Sequence, residues 1–414
     1  MPDEWIASSL GQLIDIRHGY AFKGEFFHDE PIGDILLTPG NFQIGGGFKD
    51  DKDKYYDGPV PDEFVLQEGD LLLTMTDLSK ASDTMGYPAV VPRRTNARRY
   101  LHNQRLGKVE ILNPSLLDIR FVHYLLRTRE YRNEVLGSAT GTTVKHTSPE
   151  RIKRFRFMRP PLDEQRAIAC ILGALDDKIE LNRRMNETME AIAQAIFKSW
   201  FVDAIRDGLP EGWRIGTMRE CCERIENGGT PRRNVEEYWF PQEIPWLTSG
   251  EVRQRIIIET QNFISKKGFE NSSAKLWPVG TTVVALYGAT AGQVTLLATE
   301  MSANQACCAL IPRKDARSYV YLTALSAVSK FEQQATGSAQ QNLSQGLVSS
   351  LPTVIPKGEI VSKFEAIVSP MIARWIRNLK EAQSLAALRD ALLPKLISGE
   401  LPLPNAERIL ARCA

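Results

Sequence analysis

The 414-residue chain has few of the residues that build active sites, and those it has are badly placed for chemistry. Its five histidines, His18, His28, His102, His123 and His146, are scattered. Its six cysteines, Cys170, Cys221, Cys222, Cys307, Cys308 and Cys413, include two adjacent pairs that fit neither a zinc spacing nor a secreted disulfide framework. They read as thiols in a reducing compartment. No GxxxxGK[ST], HExxH, GxSxG or GxGxxG occurs, which removes the common phosphate-cradling, zinc-hydrolase, acyl-transfer and dinucleotide signatures. The nearest miss, GSATG at 137–141, has its serine out of place for a nucleophile elbow. Asp62, Glu68 and Asp70 lack the lysine that would complete a metal-dependent nuclease, and the Asn/Asp-Pro-Pro-aromatic signature of methyl transfer is missing. No apolar run approaches 18 residues, so neither a membrane span nor a signal peptide is read and a cytoplasmic location is expected. These absences point from catalysis toward binding.

The composition, 43% hydrophobic and 24% charged, is that of a globular chain, and its length suggests two or three domains. The net charge of +1 hides an uneven distribution. Residues 1–70 carry fifteen acidic side chains against five basic ones, whereas residues 93–159 carry sixteen Lys and Arg against five acids. A local basic face is therefore available.

Much of the sequence is stated twice, at an offset near 200. Pro2, Asp3, Glu4 and Trp5 recur as Pro210, Glu211, Gly212 and Trp213, and Gly19 with Lys23 recurs as Gly228 with Arg232. Gly69 before Leu71–Leu73 returns as Gly280 before Thr282–Val284, and Asn103-Gln104 returns as Asn304-Gln305. Short apolar runs at 35–37, 70–75, 108–112, 256–259, 282–287 and 307–311, split by Gly, Pro and Asn, predict strands. Helical patches follow at 116–128 and 316–334. Each copy is read as an α+β domain of about 150 residues.

Each copy ends in a longer pattern. Ile168, Leu172, Leu175, Ile179, Asn182, Asn186, Met189, Ala193, Ile196 and Trp200 recur at coiled-coil spacing, which predicts one helix over 164–201 with Asp163 as its N-cap. At an offset of 196 the same seam returns in residues 358–397 as Phe364, Val368, Met371, Trp375, Asn378, Ala382, Leu385, Arg389, Leu392 and Leu396. Two helices with one apolar seam bury it best on each other. Only residues 203–212 separate the first helix from the second domain, so antiparallel pairing is the short solution. About 37 residues at roughly 1.5 Å each make a rod of about 55 Å. The expectation is two domains at opposite ends of that rod, related by an approximate two-fold axis.

The residues that remain suit nucleic acid. Arg93, Arg94, Arg98, Arg99 and Tyr100 form one basic run, and Lys145, His146, Arg151, Lys153, Arg154 and Arg156 another, while Arg232 and Arg233 follow a Gly-Gly-Thr-Pro turn. Such side chains supply phosphate contacts, and loop amides and guanidiniums read base edges. A charge run is also what any solvated face looks like. The candidate DNA-contacting residues are Lys23, Thr76, Arg93, Arg94, Thr143 (with Thr142), Lys145, His146, Arg232, Arg233, Tyr287, Gln341 (with Gln340) and Asn342. The Asn103-Gln104 and Asn304-Gln305 pairs are read instead as turn and core-closure residues. Arg183, Glu187, Glu190 and Gln194, on the outer face of the first helix, are the candidate docking surface for other subunits, or plain solvated helix.

Pro160-Pro161-Leu162-Asp163-Glu164-Gln165-Arg166-Ala167-Ile168-Ala169, then Leu175 through Asn182, then Ala195 through Asp203, resembles the central conserved region of type I restriction-modification specificity subunits. Residues 388–400, with Leu388-Arg389-Asp390, Leu392-Leu393-Pro394-Lys395-Leu396 and Ser398-Gly399-Glu400, resemble that family's C-terminal conserved region. The likeness departs at Gly358-Glu359, where a fuller Glu-Gln copy is missing. It implies an α+β protein with two pseudo-two-fold-related target recognition domains, at 1–155 and 204–355, separated by an antiparallel pair of long helices from the conserved regions at 156–203 and 356–414. Each domain would read one half of a bipartite, asymmetric double-stranded DNA site. The chain itself would be non-catalytic and without cofactor. S-adenosylmethionine, ATP and magnesium would serve its partners, two modification subunits and the restriction subunits that join through them.

Overall fold

The computed structural model describes residues 4–50, 53–77, 79, 83–93, 97–141, 144–336, 342–403 and 406–413. The chain divides into two compact units, Met1–Lys178 with Leu385–Ala414, and Ile179–Ser384. Each contains strands, short helices, and one stretch of each of two long helices, Leu162–Phe197 and Gly358–Ile397.

In the first unit a four-stranded antiparallel sheet runs in the order Ile14–His18, Leu106–Ile111, Leu71–Thr74, Pro88–Val90. In the second, strands Cys222–Asn227, Cys307–Pro312, Thr282–Ala285 and Val294–Leu297 follow the same order, and Ile256–Ile257 is added at the edge. The repeated Gly69 and Gly280 precede the same central strand in both, at φ +87° and +85°, a turn conformation that a side chain would strain. That central strand is buried on both faces, which is why Leu71–Thr74 and Thr282–Ala285 are continuous apolar or small runs rather than alternating ones. A further sheet stands beside each: Phe27–His28, Lys54–Tyr56, Asp34–Leu37, Tyr100–His102, Val65–Leu66 in the first unit, and Asn262–Ile264, Ile244–Leu247, Ser302–Ala303 in the second. The helix expected over 116–128 is shorter, Ile119–Leu125, because the Asp118 carboxylate caps it by accepting from the Arg120 and Phe121 amides; Thr128 then starts a separate helix, Arg129–Ser138.

The first long helix begins at Leu162, and the Gln165 amide already donates to the Pro161 carbonyl at 3.0 Å. Asp163 is therefore a first-turn residue favoured by the helix dipole, not the N-cap. The helix ends in a π turn, Lys198–Val202. Its pairing with the second helix is antiparallel. In the second unit Asn182 Nδ2 donates to Glu381 at 3.0 Å and Asn378 Nδ2 to Asn186 Oδ1 at 2.9 Å, so the two-residue polar layer joins Asn378 to Asn186 rather than to its sequence counterpart Asn182. Each unit's core takes in both helices: Ile168, Leu172, Leu393 and Leu396 in the first, Phe197, Phe201, Phe364 and Val368 in the second.

Gln165 locks the first helix to its unit. It is fully buried, accepts from the Asp118 amide at 2.9 Å, and donates to the carbonyls of Leu116 at 3.0 Å and Pro160 at 2.8 Å. Its neighbour Glu164 accepts from the Trp5 indole at 2.9 Å. The second helix lacks that pair and uses Glu365 instead, which accepts from the Tyr319 amide at 2.9 Å. Gln165→Ala strands buried backbone groups and is expected to destabilise the first unit by about 2 kcal/mol, measured by urea denaturation; a loss below about 0.5 kcal/mol would show that solvent replaces the amide.

Cys221, Cys222, Cys307 and Cys308 are free and buried, whereas Cys170 is disulfide-bonded, a correction to the reading of thiols throughout. Among the described residues no helix is long and apolar enough to cross a membrane.

Candidate nucleic-acid interface

At one end of the four-stranded sheet and of its five-stranded counterpart, four chain segments converge on a node wired by the same six hydrogen bonds. In the first unit Gly19 N donates to Leu106 O (3.3 Å), Tyr20 N to His102 O (2.8 Å), Leu106 N to Asn103 O (2.9 Å), Met75 N to Arg105 O (2.9 Å) and Thr147 N to Met75 O (3.0 Å), while the Asn103 side chain accepts from Arg105 N (2.9 Å). In the second, Gly228 N donates to Cys307 O (3.0 Å), Gly229 N to Ala303 O (2.9 Å), Cys307 N to Asn304 O (3.1 Å), Leu286 N to Ala306 O (2.7 Å) and Leu343 N to Leu286 O (2.8 Å), and the Asn304 side chain accepts from Ala306 N (3.1 Å). The glycines are required by the approach: a Cβ on Gly19 would lie 2.2 Å from the Asn103 carbonyl oxygen, and one on Gly228 would lie 2.3 Å from those of Ala303 and Asn304. Asn103 and Asn304 thus close turns, as read from the sequence.

The side chains on this common frame differ. In the first unit Thr76 and His146 face each other across the antiparallel pair Thr76–Asp77 and Lys145–His146, with Thr76 Oγ1 and His146 Nδ1 3.1 Å apart. Thr76 is buried and His146 exposed, so Thr76 positions the imidazole and does not itself reach outward, a correction to its reading as a contact residue. In the second unit Tyr287 and Asn342 pair at the same two places, both exposed. Asp77, beside Thr76, accepts from Ser79 and Thr84; burial alone would raise its pKa, but those bonds outweigh it and hold it low. Beneath the node His102 Nε2 bonds the Leu106 carbonyl at 3.0 Å, and burial pushes its pKa down to about 4, so it is a neutral structural donor.

Lys23 is exposed three residues beyond Tyr20, and Arg232 is exposed three beyond Gly229. Arg233 lies over the Trp239 ring, 5.8 Å from its centroid, while Trp239 donates to the Arg232 carbonyl at 3.2 Å, so an aromatic brace holds this basic pair outward. Lys145 is half-buried beside His146. Arg93 is not part of this convergence. The strand Pro88–Val90 runs from Leu73 toward Leu71, away from Met75, and carries Arg93 to the other end of the sheet. Arg94, Thr142, Thr143, Gln340 and Gln341 lie outside the described residues. Lys153 is taken up by Asp15 at 3.2 Å and Glu150 at 2.8 Å, and Arg151 donates to Thr140 at 3.2 Å. The exposed side chains of Tyr20, Gln104, Arg105 and Gln305 also stand at the nodes. For Gln104 and Gln305 the repeated Asn-Gln pair was the signal, because turn closure explains only its asparagine.

On the first long helix Arg183 and Glu187 are exposed and paired with each other, and Arg183 also bonds Glu180 at 2.7 Å. Glu190 is largely covered and bound to Arg255 at 3.0 Å, with Gln194 donating to it at 3.0 Å. Glu190 therefore fastens the helix to the second unit and is withdrawn from the docking face. Among the described residues no group of three His, Cys, Asp or Glu is placed to hold a metal ion.

Residues 2–191 and 210–381 match the family model of the type I restriction modification DNA specificity domain, once for each half of the repeat. The type I restriction enzyme MjaIX specificity subunit of Methanocaldococcus jannaschii is 24% identical over 357 residues, 81% of this chain and 78% of that protein. The HindI specificity subunit of Haemophilus influenzae is 24% identical over 365 residues, 70% and 79% of the two chains. The crystal structure of a type I restriction-modification S subunit from M. genitalium superposes with a TM-score of 0.63 at 17% identity, covering 95% of this chain and 96% of that one, a likeness of fold. With both halves of the repeat matched, the chain belongs to the type I restriction-modification DNA specificity family, as a non-catalytic DNA-recognition subunit with two α+β target recognition domains.

Proposed function

We propose that each unit reads one half of a bipartite, asymmetric DNA site through its node, the long helices setting the separation of the halves. What carries this reading is one backbone frame with unlike side chains, His146 over Thr76 in one unit and Tyr287 with Asn342 in the other. Identical frames dock alike, and different side chains read different bases. Lys23, Lys145, Arg232 and Arg233 supply phosphate contacts. Domain limits at 1–155, 156–203, 204–355 and 356–414 fit this division of labour. Two modification subunits dock on the helices, with the exposed Arg183, Glu187 and Gln194 as part of that surface, and restriction subunits join through them. S-adenosylmethionine, ATP and magnesium serve those partners in the cytoplasm, and this chain holds none of them.

The test is methylome sequencing of a host that expresses the chain with its modification partner. Exchanging residues 1–155 for the matching region of a relative is expected to replace one half-site and leave the other intact. If an assembled complex keeps both halves of its motif after the exchange, the two-reader model fails.

A further inference from the structure

Resting on that reading, we infer that Gln104 and Gln305 contact the same base, adenine, at the same relative position of the two half-sites. Both are exposed, and each sits at the tip of the turn closed by Asn103 or Asn304 and backed by Gly19 or Gly228. The turn needs the asparagine, which accepts the i+2 amide, and it needs the glycine, which lets the strand approach. Closing it makes no use of the glutamine side chain. Of the other outward side chains at the nodes, the basic Lys23 and Arg232 alone keep their chemistry, as phosphate contacts would: Tyr20 becomes Gly229, Arg105 becomes Ala306, and His146 becomes Asn342. A constant amide among variable neighbours implies a constant chemical partner in both half-sites.

The amide's chemistry selects that partner. A primary carboxamide offers one acceptor and one donor side by side, the complement of adenine N6–H and N7 on the major-groove edge. A phosphate would use only the donor. In the second unit the Thr230 hydroxyl donates to Gln305 Oε1, which fixes the amide plane while leaving the second lone pair and both N–H groups available. Fixing the plane matters for edge-on, two-point recognition and is of little use for a single bond to a phosphate oxygen.

The test uses the full chain assembled with its modification subunits and duplexes carrying the motif found by methylome sequencing. Replacing the contacted adenine of one half-site by 7-deazaadenine puts a C–H in place of the N7 acceptor and keeps the N6 amino group. For the unaltered chain this is expected to weaken binding roughly 5- to 150-fold. Gln104→Ala should bind the normal duplex with a similar loss and then be indifferent to the deaza base in its half-site, while remaining sensitive in the other half-site. Gln305→Ala should show the mirror pattern. A half-site without adenine, an unaltered chain indifferent to 7-deazaadenine at every adenine, or variants that bind with undiminished affinity would each overturn the assignment. The exchange of residues 1–155 separates the two levels: if it changes one half-site while Gln104→Ala changes nothing, only the glutamine assignment falls.

Discussion

Replacing Asp176 by alanine is expected to destabilise the first unit by about 3–5 kcal/mol, the usual effect of breaking a buried ion pair from one side. Its carboxylate accepts from Tyr124 Oη at 2.9 Å, Arg127 Nη1 at 2.7 Å and Arg389 Nη1 at 2.6 Å. The Arg127 side chain is only 5% exposed, and apart from Asp176 its hydrogen-bond partners are neutral, Gly45 O at 2.9 Å and His123 Nε2 at 3.4 Å. His123, packed against it, is pushed down to about 3 by burial and then by the guanidinium, so it cannot take over the charge. Burial alone would raise the Asp176 pKa, but Arg127 and Arg389 outweigh it and the net shift is downward. A lowered folded-state value makes the carboxylate's contribution complete above the unfolded pKa of about 3.9 and lost as pH falls through the folded value. Urea denaturation across pH should therefore show a large gap between the native chain and Asp176→Ala near neutrality, narrowing in strong acid. A gap below about 1 kcal/mol at pH 7 would mean that the cluster is dispensable.

Phe364→Ala should produce a comparable loss in the second unit, about 3–5 kcal/mol, with no acid dependence. Phe364 is fully buried, with ring centroids of Phe201 at 5.0 Å, Trp200 at 6.1 Å, Phe197 at 6.2 Å and Tyr319 at 6.5 Å. Truncation leaves a cavity among rings held from three elements, which cannot collapse without moving a helix. Phe364→Leu, which keeps most of the volume, should recover more than half of the loss. Equal damage from both variants would indicate that ring geometry outweighs volume.

These two sites show how far the repeat departs from copying. At the offset of 196, Asp176 corresponds to the buried Ile372 and Arg389 to Ala193, while Phe364 corresponds to Ile168 and Phe201 to Ile397. To the aliphatic packing of its helices the first unit adds a charge cluster, and the second adds aromatic rings. The seam itself was legible, because period and apolarity are local properties of a chain: every seam position is buried or half-buried. The central strands and their entry glycines were legible for the same reason. Asp176 was not, since a lone carboxylate on a helix reads as solvated until Arg127, 49 residues earlier, is known to reach it. Thr76 looked like a loop contact because nothing nearby in sequence announces its partner His146, 70 residues away. Glu190 looked free because Arg255 lies in another element. Side-chain commitments made across the fold are what a linear reading misses.

The wiring of the nodes also bears on how such a chain can change over generations. Five of the six hydrogen bonds run between main-chain groups and the sixth needs only Asn103 or Asn304. None depends on which residue stands at 146, 287 or 342. Substitutions there leave the margin of stability that most core changes erode. Under the proposed reading of the nodes, a lineage would drift from one DNA target to another by single codons while each intermediate kept the node's hydrogen bonds.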